Sequence, residues 1–274
     1  MESNPRVSVI IISQAQRPAL EATLSSLVAA RPAETAPVEG EAAVPKLFEV
    51  LVVDCGSRDG SATLDEQFEG VTFMRLPKNF GWTRAFNIAT RTAKGEYLFH
   101  LPPGLTIDPN TIPTLLAALQ SDPQAGAVSP AGRFYALPKP GDTKLTEVPA
   151  SQAQYPHNQA VLYPRLALTS INYFPDKYGQ YYADLELFHK MHEAGKKLKV
   201  LEDLHLGGAP AETPLIDPES AEADRLHGLS VFYGKNFGGA TGLKFTLGQA
   251  LRAAFRFRLG LAGKLFSGTK VDGL

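Results

Sequence analysis

The sequence predicts an α/β fold in which a mixed, mostly parallel sheet is flanked by helices and followed by a helical C-terminal appendage. Strand and helix patterns alternate through the first half of the chain, the order that builds parallel sheets. The run Val50 to Val53 is apolar at every position, as expected of a strand covered on both faces. With 274 residues and 44% hydrophobic content, the chain can bury a full core.

Apolar runs rich in β-branched and aromatic residues predict the strands, and longer segments with apolar residues at helical spacing predict the helices. The predicted strands are residues 7–12, 50–53, 71–76, 96–101, 125–130 and 160–163. The predicted helices are residues 19–30, 61–68, 83–93, 110–120 and 183–194.

Two segments depart from this alternation. Residues 31–46 are rich in Pro, Ala and Glu and carry almost no large apolar side chain, which predicts a mobile insertion without chemistry. From Arg225 onward, Asp272 is the only acidic residue among many Lys and Arg residues. We therefore expect a domain over residues 1–210 and a basic, helical appendage over residues 211–274.

Overall charge and cysteine content restrict the class of protein. A formal net charge of −1 argues against a nucleic-acid footprint over the whole protein. Cys55 is the only cysteine, which excludes an internal disulfide and fits a reducing compartment. No apolar run approaches the length of a membrane span or forms a secretion signal. The expected location is the cytoplasm.

The stretch FEVLVVDCGSRDGS, residues 48–61, is the most informative part of the chain. Its apolar run stops at Asp54, within a cluster of turn-forming residues. Open α/β sheets place their ligands at the carboxyl ends of strands, so an acceptor oxygen at Asp54 could read an N–H or hydroxyl group of a nucleoside. The alternative is that Asp54 only caps the following turn.

No G-x-G-x-x-G follows the first strand, which argues against a dinucleotide-binding dehydrogenase. Between Val7 and Gly208 the chain instead contains, in order, the segments VSVIIIS, VVDCGSRDGS, LPKNFGWTRAFNIATRTAKGEYLFHL, FPDKYGQYYADLEL, HEAGKKL and LHLGG. In their order, these segments resemble the motifs of the family 2 glycosyltransferases, which have the GT-A fold, and in particular the bacterial rhamnosyltransferase-like members.

The resemblance implies a nucleotide-binding site at the ends of the first strands. In the family, the aspartate that matches Asp54 binds the base of a nucleotide-sugar, and the position of Ser13 lies beside it. Asn79, Gly81 and Asn87 match residues that pack a helix against the nucleotide. Asn and Gly are also ordinary turn residues, so a purely structural role stays open for them.

The family's D-x-D motif, whose carboxylates hold Mg²⁺ or Mn²⁺ against the sugar diphosphate, is replaced in this chain. Pro102 and Gly104 occupy the two aspartate positions, and neither has a side chain that can bind a metal. His205 matches a histidine that completes the metal or diphosphate site in many relatives, although a lone histidine after a strand is commonly structural. A divalent metal is thus expected of the family, but its ligands are missing.

Without a metal, the charge that develops on the leaving diphosphate needs arginine or lysine. The candidates are Lys78, Arg84, Arg225 and Lys235. Arg84 is also a candidate nucleotide-binding residue, because it lies two positions before Phe86, where the family often has an arginine.

The acceptor side of the site is predicted around Asp184. Residues 183–187, ADLEL, match the E-D-x-D-L motif of the family. The resemblance implies that Asp184 is the general base that deprotonates the acceptor hydroxyl, and direct displacement would invert the anomeric configuration. An N-cap role without catalytic function stays open, because Ala183 replaces the glutamate.

Residues 243–266 carry Phe and Leu at mostly helical spacing together with Lys and Arg, which predicts an amphipathic helix. Such a helix suits an anionic membrane surface and would bring the enzyme to a lipid-linked acceptor at the inner face of the membrane. Packing on its own domain or on a partner is the alternative. Nucleic acid is not an expected partner, since no reading motif accompanies the charge.

The sequence as a whole predicts a glycosyltransferase that moves a sugar from a nucleotide-sugar donor to a hydroxyl group of a glycan or lipid-linked acceptor. Cell-surface polysaccharide or glycolipid synthesis is the expected context, and the replaced D-x-D motif predicts metal-independent transfer. The alternative is a catalytically inactive scaffold or partner protein with the same fold.

Overall fold

The computed structural model describes residues 4–31, 47–212 and 217–267, so the predicted insertion over 31–46 lies, apart from Arg31, outside the described residues. Eleven strands occur in this part of the chain: β1 (Val7–Ser13), β2 (Phe48–Cys55), β3 (Val71–Leu76), β4 (Tyr97–His100), β5 (Leu105–Thr106), β6 (Ala125–Pro130), β7 (Phe134–Tyr135), β8 (Glu147–Val148), β9 (Val161–Pro164), β10 (Lys197–Leu201) and β11 (Gly207–Gly208).

The described helices are α1 (Arg17–Ala29), α2 (Trp82–Thr92), α3 (Thr111–Ser121), α4 (Arg165–Ser170), α5 (Leu185–Glu193), α6 (Pro218–Phe237), α7 (Gly239–Phe255) and α8 (Leu259–Phe266). The predicted helices over 19–30, 83–93, 110–120 and 183–194 agree with α1, α2, α3 and α5 to within two residues. The segment predicted as a helix over 61–68 forms a 3₁₀ helix, Ser61–Glu66.

Seven strands form one mixed sheet in the order β10-β6-β9-β4-β1-β2-β3. Strand β1 pairs in parallel with β2 and β4, β2 with β3, and β10 with β6. Strand β9 runs antiparallel to both of its neighbours, β4 and β6. The prediction of a mostly parallel sheet flanked by helices is confirmed, and the carboxyl ends of β1, β2 and β4 meet at one edge.

Alternate side chains of β2 enter two hydrophobic cores, one on each face of the sheet. Val50 and Val52 pack with α1 and α3, whereas Leu51 and Val53 pack with α2 and α5. Burial of each such side chain stabilises the folded state by about 1.5–3 kcal/mol. The all-apolar run therefore reflects burial on both faces, as predicted.

Helix α6 packs into the same core as α2 and α5. Leu229 and Phe232 are fully buried there, together with Tyr233. Asp217 caps the start of α6 by accepting hydrogen bonds from the backbone N–H groups of Glu219 and Ser220. The first part of the segment predicted as an appendage is thus continuous with the core of the sheet.

The amphipathic segment predicted over 243–266 consists of two helices, α7 and α8. Helix α7 ends where Phe257 adopts a left-handed conformation (φ 56°), and the Arg258 N–H donates to the Ala253 carbonyl at 2.9 Å. This bond closes a helix C-terminus of the kind that usually uses glycine at the left-handed position. Among the helices in the described ranges, none has the length and apolar content needed to cross a bilayer.

Candidate active site

Asp54 and Ser13 lie opposite each other at the carboxyl ends of β2 and β1. Both are 1% exposed. Asp54 Oδ2 accepts a hydrogen bond from the Ser57 N–H at 3.1 Å, but within the described residues Asp54 Oδ1 and Ser13 Oγ have no hydrogen-bond partner. Buried polar atoms are nearly always paired, so these two oxygens leave room for further hydrogen-bond partners at this edge of the sheet.

The surroundings of Asp54 compensate its charge only in part, through Ser57 and the nearby Arg75. Burial raises the pKa of the carboxyl group, although the hydrogen bond from Ser57 acts in the opposite direction. Arg75 lies in register with Asp54 on β3, but its guanidinium pairs with Asp65. A donor N–H from a bound nucleobase would lower the free energy of the buried carboxylate.

The loops that follow β1 and β2 are tied together around this pair. The Ala15 N–H donates to Ser57 Oγ at 2.8 Å, and the Arg17 N–H donates to Asp59 Oδ2 at 2.8 Å. Gly56 has φ +70°, and a Cβ there would lie 2.6 Å from the Cα of Lys78. The turn after Asp54 therefore needs glycine and is held in one shape.

A cleft opens beside Ser13 and holds about 430 Å³ of empty space, counting the part that is open to solvent. Its polar lining consists mainly of amide side chains, with Trp82 and His100 as the ring systems and no Lys or Arg among the described lining residues. The lining residues are Ile12, Ser13, Gln14, Gln16, Cys55, Asn79, Trp82, His100, Pro102, Pro103, Asn158, Gln180 and Ala211.

The predicted nucleotide-binding residues of the α2 region separate into two groups. Asn79 lines the cleft, donates to Gln14 Oε1 at 2.9 Å and accepts from the Gly81 N–H at 2.8 Å, so it shapes the loop before α2. Asn87 exchanges hydrogen bonds with the backbone of Phe174 and is not among the lining residues. Arg84 is exposed on α2 and does not line the cleft either.

The start of α2 is capped by the loop that precedes α5. The Trp82 N–H donates to Gln180 Oε1 at 3.1 Å, and the Thr83 hydroxyl donates to the Gly179 carbonyl at 2.8 Å. This loop is in turn held by Asp224 of α6, whose Oδ2 accepts from the Gln180 N–H at 2.8 Å. Helix α6 therefore positions one wall of the cleft, a role that no local sequence motif indicated.

The end of β4, where the family has D-x-D, is closed by backbone packing. Gly104 has φ +93°, and a Cβ there would lie 2.3 Å from the Ala209 carbonyl oxygen. The Ala211 N–H donates to the Pro103 carbonyl at 2.8 Å, and Gln16 Nε2 donates to the Ala211 carbonyl at 2.9 Å. An aspartate cannot fit at position 104 without moving the segment 209–211.

The residues present at this edge do not fit the family's divalent metal. Pro102 lines the cleft but offers no ligand atom, and Gly104 is covered by Ala209. The described residues contain no group of three or more His, Cys, Asp or Glu side chains that could hold a metal ion. His205 is exposed and does not line the cleft.

His100 belongs to an aromatic cluster at the end of β4. The rings of Trp82 and Phe86 meet it edge-on, with centroid distances of 5.4 and 5.5 Å. Burial lowers the pKa of His100 to about 4, so the imidazole is neutral at physiological pH. Phe86 thus fills with an aromatic ring the place where the family often has a cation.

Asp184 lies just before α5 and accepts a hydrogen bond from a buried tyrosine. The Tyr155 hydroxyl donates to Asp184 Oδ1 at 2.6 Å, and burial raises the pKa of the carboxyl group to about 6. Glu186, the second acid of the motif, is fully buried, accepts from the Tyr178 hydroxyl at 2.6 Å and pairs with Lys235 at 3.2 Å. Asp184 can therefore take up a proton near neutral pH, whereas Glu186 joins α5 to α6.

The remaining candidate cations lie outside the cleft lining. The Arg225 guanidinium lies over the ring of Tyr181, 4.4 Å from its centroid. The Lys78 ammonium lies 5.2 Å from the ring centroid of Phe80. Of the candidates, Arg225 contacts Tyr181 of the loop that precedes α5.

The family of this chain is shown by comparison with known protein families. Residues 8–163, more than half of the chain, match the model of the family described as Glycosyl transferase family 2. The chain belongs to this family. A search of curated proteins found no significant match.

Solved structures with a similar fold include glycosyltransferases. The mannosyltransferase PcManGT from Pyrobaculum calidifontis, in complex with GDP-Man and Mn²⁺, has 19% identity and a TM-score of 0.60 over 97% of this chain and 82% of that one. Residues 1–349 of S. aureus TarS with UDP-GlcNAc have 19% identity and a TM-score of 0.57, over 84% and 66% of the two chains. GalNAc-T7 with UDP, GalNAc and Mn²⁺ has 16% identity and a TM-score of 0.59, over 78% and 45%. The GT-A fold predicted from the motifs is thereby confirmed.

Proposed function

We propose that this family 2 glycosyltransferase moves a sugar from a nucleotide-sugar donor to a hydroxyl group of an acceptor. The observation that carries the proposal is the pair of orphaned buried oxygens, Asp54 Oδ1 and Ser13 Oγ, at the sheet edge. A nucleobase presents N–H and C=O groups in one plane, so a carboxylate and a hydroxyl beside it can each form one hydrogen bond with it.

Binding of the nucleotide is the first experiment. Calorimetric titration of the protein with UDP, GDP and dTDP, each with and without Mn²⁺, should give binding of at least one nucleotide. The affinity should be the same with and without Mn²⁺, because Pro102 and Gly104 provide no ligand to the metal. Absence of binding for all three nucleotides would contradict the proposal.

We further propose that Asp184 is the final proton acceptor and that direct displacement inverts the anomeric centre. A pKa near 6 makes the carboxylate available at neutral pH and still basic enough to hold a proton. Asp184→Asn should abolish transfer and leave nucleotide affinity unchanged. Unaltered turnover in this variant would remove Asp184 from the mechanism.

The transfer is proposed to be metal-independent. EDTA should leave the turnover rate unchanged, since the described residues at the end of β4 do not fit a metal. Inhibition by EDTA that added Mn²⁺ reverses would show that other groups bind the ion.

We propose a lipid-linked or membrane-bound glycan acceptor in cell-surface polysaccharide or glycolipid synthesis, reached from the cytoplasmic side of the membrane. Leu243, Leu247 and Leu251 form an exposed stripe on α7, which continues to the corner between α7 and α8. There Phe255 and Phe257 are 89% and 91% exposed. Arg252, Arg256 and Arg258 are exposed on the same stretch of chain, and Arg258 also pairs with Glu222. Apolar side chains together with cations suit the surface of an anionic bilayer.

Flotation with vesicles tests this surface. The protein should float with phosphatidylglycerol-containing vesicles, and Phe255→Ser with Phe257→Ser should remove binding. Leu166→Ser is the matched control, because Leu166 is a comparably exposed leucine (75%) that belongs to α4 and not to the basic helices α7 and α8. Equal loss of binding in the control, or equal binding to purely zwitterionic vesicles, would contradict the assignment.

A catalytically inactive partner protein is the second candidate function. The packing of Ala209 and Ala211 over residues 103–104 favours it, because this packing occupies the place where relatives of the family hold the donor diphosphate. Nucleotide binding without turnover of any UDP-, GDP- or dTDP-sugar would support this alternative.

A further inference from the structure

Tyr155, His157 and Asp184 form a continuous hydrogen-bonded chain next to the start of α5. The Tyr155 hydroxyl lies 2.6 Å from Asp184 Oδ1 and 3.1 Å from His157 Nδ1. Tyr155 is fully buried, whereas His157 is half-buried and is followed by Asn158, which lines the cleft. His157 itself is not among the residues that line the cleft, so the chain runs from a half-buried histidine next to a lining residue inward to Asp184.

The proton count of this chain allows two arrangements. The Tyr155 hydroxyl has one proton, so when it donates to an ionised Asp184, the contact with His157 requires an Nδ1–H that donates to the tyrosine oxygen. When Asp184 is protonated, it donates to the Tyr155 oxygen, the hydroxyl donates to Nδ1, and the histidine carries its proton on Nε2. The two arrangements differ by one proton, added at Nε2 and stored on Asp184.

We propose that His157 Nε2 takes the proton of the acceptor hydroxyl and that Tyr155 passes a proton on to Asp184. Nδ1 points inward to Tyr155, so Nε2, on the opposite side of the imidazole ring, points away from it. This inference rests on the proposed function and changes the identity of the group that meets the acceptor. His157 is then the catalytic residue in contact with substrate, and Tyr155 and Asp184 act behind it.

The step balances in atoms and electrons. As the acceptor O–H bond breaks, the oxygen electron pair forms the new bond to the anomeric carbon, and the bond from that carbon to the diphosphate oxygen breaks with its electron pair. The hydroxyl proton binds Nε2, the Nδ1 proton moves to the tyrosine oxygen, and the original hydroxyl proton of Tyr155 moves to Asp184. No charged histidine remains at the end.

The groups around the chain favour storage of the proton on Asp184. Burial and the nearby Arg225 lower the pKa of His157 to about 4, whereas burial raises the pKa of Asp184 to about 6. An imidazolium would face the Arg225 guanidinium from α6, and passing a proton inward avoids that repulsion. Among the described residues, Tyr135, Tyr163, Tyr178 and Tyr182 also lie near the chain, and Glu186, which pairs with Lys235, accepts from Tyr178.

Histidine NMR of the full chain tests the coupling without substrate. With ¹⁵N-labelled histidine, and with His157→Asn to assign the signal, His157 should be the Nδ1–H tautomer at about pH 8. At about pH 5, between the pKa of about 4 for His157 and about 6 for Asp184, it should become the Nε2–H tautomer. Asp184→Asn should fix the Nδ1–H tautomer at both pH values, because the carbonyl of the introduced side-chain amide accepts from Tyr155.

Activity supplies the second measurement, with UDP-, GDP- and dTDP-sugars as donors. Tyr155→Phe and His157→Asn should lower kcat at least 100-fold with unchanged nucleotide affinity, as expected for loss of general-base catalysis. Tyr178→Phe is the matched control, since it removes an equivalent 2.6 Å bond from a buried tyrosine to Glu186, outside the chain. It should keep kcat within about threefold of the wild type.

The outcomes separate the two proposals. A wild-type His157 that is the Nε2–H tautomer at pH 8, or that keeps one tautomer at both pH values, would overturn the chain. Transfer by Tyr155→Phe within twofold of the wild type would overturn it as well, while leaving the glycosyltransferase assignment intact. If the wild type transfers sugar from none of the donors, the proposed function fails, and the histidine spectra alone decide whether the chain is coupled.

Discussion

The carboxyl ends of β1 and β2 differ from the end of β4 in how their polar atoms are paired. At β1 and β2, Ser13 Oγ and Asp54 Oδ1 are buried and unpaired within the described residues. At β4, the Gly104 N–H is hydrogen-bonded to Thr23 of α1, and the Pro103 carbonyl accepts from Ala211. A ligand is expected where polar atoms lack partners, and not where neighbouring backbone already supplies them.

The largest expected effect comes from a side chain at Gly104. Gly104→Ala would place a Cβ 2.3 Å from the Ala209 carbonyl oxygen at a φ of +93°. We expect a loss of about 3–4 kcal/mol in the free energy of unfolding, measured by urea denaturation, from strain and steric conflict together.

Gly141→Ala separates the two causes of that loss. Gly141 has φ +105°, but no atom lies within 4 Å of its added Cβ, so only the backbone strain applies. It should cost about 1–2 kcal/mol. Equal losses in the two variants would show that Ala209 yields easily, and the end of β4 would then count as open.

Asp54→Asn should weaken nucleotide binding without lowering the stability of the protein. The amide can present its NH₂ group where the carboxylate accepted, so nucleotide affinity should fall roughly 10- to 100-fold, the value of one hydrogen bond to a charged group. Because burial raises the pKa of Asp54, removal of its charge should leave the free energy of unfolding unchanged or higher at pH 7.

Calorimetry and urea denaturation on the same preparation check both parts of this expectation. Asp59→Asn is the comparison, since Asp59 accepts from the Arg17 N–H, the Ser61 N–H and the Ser61 hydroxyl and braces the loop. It should lower stability. A parallel loss of stability in Asp54→Asn would indicate that Asp54 is a turn cap and not a ligand-binding group.

A smaller effect is expected when the packing of residues 209–211 over the end of β4 is weakened. Gln16→Ala removes the hydrogen bonds from Gln16 Nε2 to the Ala211 and Glu212 carbonyls, at 2.9 and 3.0 Å. We expect a loss of about 1–2 kcal/mol and faster hydrogen exchange at the Ala211 N–H. Added Mn²⁺ should still not raise nucleotide affinity. A metal-dependent rise would mean that the packing of residues 209–211, and not the missing aspartates, excludes the ion.

The ends of strands could be predicted from the apolar runs that precede them. Contacts between segments far apart in the chain could not. The β2 run fixed Asp54 at the sheet edge because an apolar pattern on both faces can only be a central strand. Its match with Ser13 in β1 follows from parallel register. The loss of metal ligands was also visible, since Pro102 and Gly104 have no side-chain donors.

What sequence patterns could not indicate is how distant segments close on the site. Asp224 holds Gln180 from 44 residues away, and Gln16 holds Ala211 from 195 residues away. Tyr155 and His157 follow no motif, and only the fold brings them to Asp184. The glycine pair at Gly207 and Gly208 was one available signal of close backbone approach, because a Cβ at Gly208 would meet the Gly104 carbonyl oxygen.

The smallest expected effect is the change in the free energy of unfolding when the Ser13 hydroxyl is removed. Its sign shows whether Ser13 Oγ lacks a partner in the free protein. A buried hydroxyl without a partner costs free energy, so Ser13→Ala should raise the free energy of unfolding by up to about 1 kcal/mol. Nucleotide affinity should fall about fivefold, the value of one neutral hydrogen bond.

Ser8→Ala on the same strand is the control, because buried Ser8 donates to Glu49 at 2.6 Å and accepts from the Gly95 N–H. It should lower stability and leave nucleotide binding unchanged. If Ser13→Ala behaves like Ser8→Ala, then Ser13 already has a partner in the free protein. Asp54 alone would then distinguish the carboxyl ends of β1 and β2 from the end of β4.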